Sequence, residues 1–192
     1  ELTDQFKQHQ QNSNGHLKVL ITGAPEPLSL RFVKALSIAA TDYWSDLKIK
    51  GRKNAILEQL QQAASKNEIS VSEIIQLLSD LQTTLNNKAS GIIIIIDELG
   101  KFLEYEARHY GANDIYLLQA LAEHACGENK VNILLFVMLH QSFEQYAKGL
   151  GDSLKKEWSK VQGRFEDIPF LEGPEQVLRI VSSAFEHNFS QQ

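Results

Sequence analysis

The chain contains 192 residues, with 19 lysines and arginines against 24 aspartates and glutamates, which gives a formal net charge of −5. This length suits one domain with a substantial core and is short for two. The acidic balance gives no general argument for a nucleic-acid-binding surface, so nucleic acid is expected as a partner only through other domains.

The cysteine content and hydropathy indicate a cellular compartment. Cys126 is the single cysteine and cannot form an internal disulfide, and no Cys/His spacing resembles a zinc site. No apolar run approaches the ~20 residues that span a bilayer, and the first residues do not resemble a signal peptide. We therefore expect a cytoplasmic protein that does not contact a membrane.

Residues 1–16 are polar and rich in glutamine and asparagine, and they are expected to form a flexible segment or linker. The chain begins at Glu1 rather than at a methionine, and we expect it to be part of a larger protein. Residues 17–192 are expected to form one partial domain.

The first predicted strand is Leu17–Ile21, and Gly23 with the prolines that follow it turns the chain out of the sheet. Apolar residues at helical spacing predict a helix over Leu28–Tyr43, which completes one β–α unit. Four basic residues in the next link are interpreted as a solvated loop rather than a phosphate contact. They are Lys48, Lys50, Arg52 and Lys53.

The stretch of about residues 45–88 contains no strand-like run and is predicted to be a helical insertion. Its helices are predicted at Asn54–Lys66 and Ser70–Leu85, and Ser70 with Glu73 forms an S-x-x-E capping box. An apolar stripe on the second helix is interpreted as core or as a docking surface for a neighbouring domain. Its residues are Ile74, Ile75, Leu77, Leu78 and Leu81.

The sequence GIIIIIDELG at Gly91–Gly100 predicts the central strand, Ile92–Ile96. Five consecutive isoleucines predict burial on both faces of a parallel sheet, because a strand with one wet face would alternate apolar and polar residues. A charged loop or short helix follows, and then a helix capped by Asn113 or Asp114. A second doubly buried strand is predicted over Val131–Leu139.

The last part of the chain is predicted to contain a helix over Leu150–Gly163, capped by Asp152 or Ser153, and a short strand over Phe165–Phe170. A final helix has Pro174 at its favoured first position. Strands that alternate with helices predict an α/β fold, a three-layer α/β/α sandwich with a mostly parallel central sheet.

Asp97 and Glu98 follow the isoleucine strand directly, and ligands of open α/β sheets bind outside the carboxyl ends of the strands. Adjacent carboxylates at this point can hold magnesium and orient an attacking water. The alternative is an acidic strand end that caps the next element. His140 and Gln141 follow the second buried strand and would lie beside the pair, although a histidine there can also be a hydrogen-bonded structural residue.

Arg164 is the remaining candidate. Its guanidinium presents a rigid, permanently charged fork to phosphate, and an arginine from a neighbouring subunit can stabilise the charge of a transferred phosphoryl group. The alternative is a structural salt bridge to Glu166 or Asp167.

Three segments carry a resemblance to a known family: IIIIIDELGKFLEY, VNILLFVMLHQ and KVQGRFEDIPF. They resemble the Walker B, sensor-1 and arginine-finger segments of AAA+ ATPases. The likeness is strongest to the origin-recognition or STAND-like branch and to large bacterial multidomain ATPases of that type, some of them found in phage-defence loci. The order of the motifs matches over about residues 17–185, and a P-loop NTPase-like fold is implied.

The resemblance implies a role for each candidate residue. Asp97 would bind magnesium, and Glu98 would activate water. His140 or Gln141 would occupy the sensor position, where the family usually has Asn, Ser or Thr. Arg164 would be the arginine finger, acting between the subunits of a homo-oligomer. ATP and Mg²⁺ are the cofactors implied for the full-length protein.

The chain lacks the phosphate-binding loop that the resemblance requires. That loop follows the pattern G-x-x-x-x-G-K-[ST], whose backbone amides cradle the phosphates. The only Gly-Lys pair, Gly100-Lys101, is followed by Phe102. The first strand and the loop are therefore expected to lie outside this chain, which by itself is expected to bind neither ATP nor Mg²⁺ tightly. Other domains of the same polypeptide are the expected partners.

Two other functions stay open. A degenerate P-loop-like protein-interaction module would use the apolar stripe and the charged segment Lys101–His109 without hydrolysing ATP. A metal-dependent hydrolase would use Asp97 and Glu98 alone, but it lacks the further carboxylate or histidine ligands that a protein-held metal needs.

Overall fold

The computed structural model describes residues 15–46, 55–86, 88–109, 114–127, 131–148, 151–168 and 173–184. Within these ranges one sheet contains the strands β1 (His16–Thr22), β2 (Gly91–Asp97) and β3 (Asn132–Val137). The helices in the same ranges are α1 (Leu28–Asp46), α2 (Ala55–Ala64), α3 (Val71–Leu85), α4 (Leu99–Arg108), α5 (Asp114–Ala125), α6 (Phe143–Tyr146), α7 (Asp152–Gln162) and α8 (Pro174–Ala184).

The sheet is parallel throughout, with β2 between β1 and β3. Val19 of β1 pairs with Ile94 of β2, which pairs with Leu135 of β3. Parallel neighbours need long crossover connections, and here α1 to α3 connect β1 to β2 while α4 and α5 connect β2 to β3. The predicted parallel sheet with flanking helices is confirmed.

One face of the sheet forms the hydrophobic core, where α1 packs along β1 and α5 along β3. Each aliphatic side chain buried there contributes roughly 1.5–3 kcal/mol. The buried strand residues are Leu17, Val19, Ile21, Ile92, Ile94, Ile96 and Ile133. This face therefore holds the three strands, and with them the strand ends, in fixed relative positions.

The opposite face of the sheet is open in the described part of the chain. Leu20 is 65% exposed, and Leu134 and Phe136 are each 50% exposed. Between them Ile93 and Ile95 of β2 are only partly buried. The prediction that the isoleucine strand is buried on both faces is wrong for these residues, because no described helix buries the second face. The described sheet and the helices on its buried face are two of the layers of an α/β/α sandwich, so the structure is compatible with the predicted three-layer fold.

The predicted fourth strand, Phe165–Phe170, is not formed where the structure describes it. Residues 165–168 belong to no strand. The amide of Arg164 donates to Val161 O and that of Phe165 donates to Gln162 O, so the chain continues the last turn of α7 instead of extending. The remainder of that prediction, residues 169–170, lies outside the described residues.

The other predicted helices are present with small shifts at their ends. α3 begins at the predicted cap, where the amide of Glu73 donates to Ser70 Oγ at 3.2 Å. α7 is capped by Gly151 rather than by Asp152 or Ser153. The charged segment after Glu98, predicted as a loop or a short helix, forms the helix α4. The predictions for most of the N-terminal segment, the basic link and the Asn113 cap fall outside the described residues.

A polar network ties the helical insertion to the sheet. Gln82 on α3 is 4% exposed, and its amide nitrogen donates to Val131 O at 2.6 Å, just before β3. Its amide oxygen lies 2.7 Å from Nε2 of His124 on α5. Burial lowers the pKa of His124 below its ordinary value, so the neutral imidazole is the form that the fold favours.

This depressed pKa makes stability depend on pH in a known direction. The contribution of neutral His124 to the free energy of unfolding is complete above the unfolded-state pKa of about 6.5. It is lost as the pH falls through the lower pKa of the folded state. We expect His124→Gln, whose amide can still donate to Gln82, to lose less stability than the parent between about pH 7 and about pH 5. Urea unfolding at both pH values measures this, and equal losses in the two proteins would contradict the role of His124.

Candidate active site at the carboxyl end of the sheet

Asp97 is the last residue of β2 and lies opposite Thr22 of β1 in the register. Its backbone carbonyl accepts a hydrogen bond from the amide of Gly23 at 2.9 Å, which extends the pairing one step beyond the end of β1. One carboxylate oxygen accepts from the amide of Glu98 at 2.8 Å. The side chain is exposed, so Asp97 is available to a ligand at the predicted edge of the sheet.

Glu98 forms the turn between β2 and α4 in a left-handed conformation, with φ 53° and ψ 41°. It is the one non-glycine residue with positive φ in the described ranges. Gly23 allows this turn to approach β1, because a Cβ atom at Gly23 would collide with the Glu98 carbonyl oxygen. A residue in this region costs of order 1–3 kcal/mol and is found most often at functional sites.

Two nitrogen-bearing side chains lie at the two carboxylate oxygens of Glu98. Lys101 Nζ lies 2.7 Å from Oε2, and His140 Nε2 lies 3.7 Å from Oε1. The hydrogen bond from Lys101 holds the pKa of Glu98 below its ordinary value, with a smaller contribution from His140. Glu98 is therefore an ionised carboxylate at neutral pH, the state that a water-orienting group needs.

His140 reaches Glu98 because the pairing of β3 with β2 continues past both strand ends. The amide of Met138 donates to Ile96 O at 2.9 Å, and the amide of Leu99 donates to Met138 O at 3.0 Å. The structure thus places the His140 side chain next to Glu98. Gln141 is exposed in the same loop and makes no hydrogen bond to Asp97 or Glu98 within the described structure.

Arg164 lies away from this cluster, in the turn after α7. Its Nε donates to Glu123 Oε1 at 2.8 Å, its Nη2 lies 2.6 Å from the same oxygen, and its Nη1 donates to Lys160 O at 2.7 Å. The ion-pair partner is therefore Glu123 of α5 rather than Glu166 or Asp167. The hydrogen bond from Arg164 lowers the pKa of the Glu123 carboxyl.

Sequence reasoning missed two residues of the site. Lys101 follows Glu98 by three positions at the start of α4, a spacing that places both side chains on one side of a helix, and this signal was present in the sequence. Thr22 lies beside Asp97 only through the register of β1 with β2, and no sequence pattern indicates that pairing.

A metal at this site would need ligands beyond the side chains that the structure describes. In the described ranges no cluster of three or more His, Cys, Asp or Glu side chains is arranged to hold a metal ion. Mg²⁺ is commonly bound by one or two carboxylates together with substrate phosphates, and the exposed Asp97 fits that mode. A groove of about 240 Å³ lies elsewhere, between α2 and α3, and is lined by residues such as Lys66, Glu73 and Asp80.

In comparisons with known proteins, no family model, curated protein or solved structure matches this chain. The helices of the described ranges include none with the length and hydropathy needed to cross a membrane. The function is therefore argued from the site itself.

The strained turn leads to a prediction about Glu98. Glycine adopts positive φ without a steric penalty, so Glu98→Gly should be more stable than Glu98→Ala by about 1 kcal/mol. The matched pair is Glu104→Gly and Glu104→Ala, at an exposed position inside α4, where glycine should be the less stable by about 0.5–1 kcal/mol. Denaturant unfolding of the four variants measures both differences. The same order at both positions would contradict the strain at Glu98.

Proposed function

We propose that this chain is part of an AAA+-type ATP-binding and hydrolysing domain of a larger protein. The observation that carries the proposal is the turn after β2, where the exposed Asp97 and the ionised Glu98 stand side by side at the carboxyl end of a parallel sheet. Ligands of such sheets bind at this end. Phosphoryl transfer depends on positioning and on charge stabilisation, which two carboxylates beside a bound cation can supply.

Each residue of the cluster has a part in this chemistry. Asp97 would hold Mg²⁺, which neutralises charge on the phosphates when bound. Glu98 would accept a hydrogen bond from the attacking water, orient it and take up its proton. Lys101 donates to one oxygen of the Glu98 carboxylate and lowers its pKa, and His140 lies at the other oxygen. His140, or Gln141 next to it, would contact the terminal phosphate.

The phosphate-binding loop would come from sequence outside these 192 residues, which contain no G-x-x-x-x-G-K-[ST] pattern. The open side of the sheet supports this part of the proposal. β3 has no second neighbour in the described ranges, so its outer hydrogen-bonding edge is open there. A parallel strand added to β3 would end beside His140, which is where a phosphate loop would meet Glu98.

Arg164 would act as an arginine finger toward the site of a neighbouring subunit in a homo-oligomer. In the isolated subunit its guanidinium is engaged by Glu123 and by Lys160 O. Both Arg164 and Glu123 are partly exposed, and exposed ion pairs of this kind are worth about 0–1 kcal/mol, so a phosphate could displace Glu123 at small cost.

A protein-interaction module without ATP hydrolysis is the second candidate function. The observation that favours it is the open apolar face, because contiguous exposed hydrophobic residues mark interaction surfaces. Leu20, Leu134 and Phe136 contribute to that face. It does not explain the strained Glu98 turn with its ionised carboxylate, which the hydrolytic function uses.

Glu98→Gln separates the two functions in a polypeptide that includes the phosphate-binding loop. The amide cannot accept the water proton, so ATP hydrolysis should fall by about 100-fold or more while ATP binding is retained. Glu104→Gln, an exposed change on the same helix, is the matched control and should leave turnover unaltered. Steady-state hydrolysis and equilibrium binding of ATP measure the two quantities. Unchanged hydrolysis in Glu98→Gln would remove Glu98 from the mechanism.

The chain alone provides the companion measurement. Titration of these 192 residues with Mg-ATP in a calorimeter should give little or no heat, because the phosphates have no cradle. Binding in the micromolar range would contradict the assignment of the phosphate loop to sequence outside the chain.

A further inference from the structure

The loop that carries His140 is held at both of its ends by the elements that carry Glu98. On the strand side, Met138 is hydrogen-bonded to Ile96 O and to the amide of Leu99. On the helix side, the loop runs directly into α6, a helix of 4 residues that ends at Tyr146. The position of His140 is therefore set by these anchors.

Tyr146 is the anchor on the helix side. Its phenol ring lies against Gly100 in the first turn of α4, two residues after Glu98, so closely that a Cβ atom at Gly100 would overlap the ring. Gly100 is buried and Tyr146 partly buried. The missing side chain at position 100 thus creates the place where the Tyr146 ring packs.

The other side of α6 is fixed independently. Phe143 is 8% exposed, and its ring meets Trp158 of α7 edge to face, with centroids 5.7 Å apart. This contact holds α6 against α7 but does not connect it to α4. The packing of Tyr146 on Gly100 is therefore a second connection between the His140 loop and α4, besides the hydrogen bond from Leu99 to Met138 O.

His140 has no comparable anchor of its own. Its side chain is 78% exposed, and its distance of 3.7 Å to Glu98 is longer than a direct hydrogen bond. A single exposed pair of this kind contributes about 0–1 kcal/mol, too little to order a loop. The position of the loop backbone, from which the imidazole projects, therefore depends on the packing of its neighbours.

We infer that Tyr146 is a positioning residue for the site: by packing on Gly100 it holds the His140 loop so that the imidazole faces the Glu98 carboxylate. The consequence for hydrolysis rests on the proposed function. The geometric part does not, because it concerns only the distance between two side chains of this chain.

The geometric part is tested by NMR on the chain itself. The nuclear Overhauser contact between the His140 ring protons and the Glu98 γ protons should be present in the parent and in Tyr146→Phe, which keeps the ring. It should be lost in Tyr146→Ala, which removes the ring, and in Gly100→Ala, which displaces it. The contact between Phe143 and Trp158 is the internal control and should persist in all variants.

Persistence of the His140–Glu98 contact in Tyr146→Ala would overturn the inference. If Tyr146→Ala does not fold, Gly100→Ala decides in its place, and an unchanged contact there has the same meaning. Loss of the contact in Tyr146→Phe as well would assign the positioning to the hydroxyl group and would overturn the role of the ring.

The functional part is tested in the polypeptide that includes the phosphate-binding loop. Tyr146→Ala should lower kcat by about 10- to 100-fold with little change in KM for ATP, since small displacements of positioned groups have effects of this size. Tyr146→Phe should restore kcat. If Glu98→Gln leaves hydrolysis unchanged, the proposed function fails while the NMR result stands. If Glu98→Gln is inactive and Tyr146→Ala is fully active, the inference about Tyr146 fails alone.

Discussion

The site depends on the hydrogen bonds that pair the carboxyl end of β2 on both sides, beyond the last residues of β1 and β3. The amide of Gly23 donates to Asp97 O on the β1 side, and Met138 exchanges bonds with Ile96 and Leu99 on the β3 side. Because all three strands are parallel, these bonds bring three carboxyl ends to one edge. Residues that are distant in sequence, Thr22, Glu98 and His140, become neighbours for that reason.

Local stability and function conflict at the turn after β2. Glu98 occupies a left-handed conformation that favours glycine, and the close approach of Gly23 leaves the turn no room to relax toward β1. A glutamate in that position is unfavourable for the fold, but its side chain leaves the core at the point where a ligand would bind. The buried face of the sheet, with Ile94 and Ile96 fully enclosed, supplies the stability that keeps the turn in place.

Much of the fold follows from local pattern. The apolar runs predict all three observed strands, and Ser70 with Glu73 predicts the start of α3, because these signals depend on the chain's own spacing. Failures arose where the outcome depends on what lies next to a segment. An isoleucine run has the same sequence whether one face or two are covered. Phe165 has the apolar character of a strand residue although its backbone belongs to the turn after α7.

The candidate site also contains residues whose positions follow from the sequence and residues whose positions depend on tertiary packing. The presence of Asp97, Glu98 and His140 at one edge was predictable, because the carboxyl ends of parallel strands share an edge, whereas the adjacency of β2 and β3 is seen only in the structure. The partner of Arg164 was not, since Glu123 belongs to a helix 41 residues earlier in the chain and meets Arg164 only through the packing of α5 with α7. The role of Tyr146 also depends on tertiary packing, because nothing in the sequence around Gly100 indicates which ring would occupy the space.

The central claim is that the sheet is open along β3, beside the Glu98–His140 site, where a phosphate-binding strand would add. Amide hydrogen exchange of the chain tests it most directly. The amide of Met138 donates to β2, and successive amides along a strand point in opposite directions. The amides of Leu134 and Phe136 therefore also point toward β2 and should exchange slowly. The amides of Leu135 and Val137 point toward the open edge and should exchange rapidly. In β2, which is paired on both sides, protection should be uniform. Uniform protection along β3 as well would show that its outer edge is already paired, and would contradict the claim.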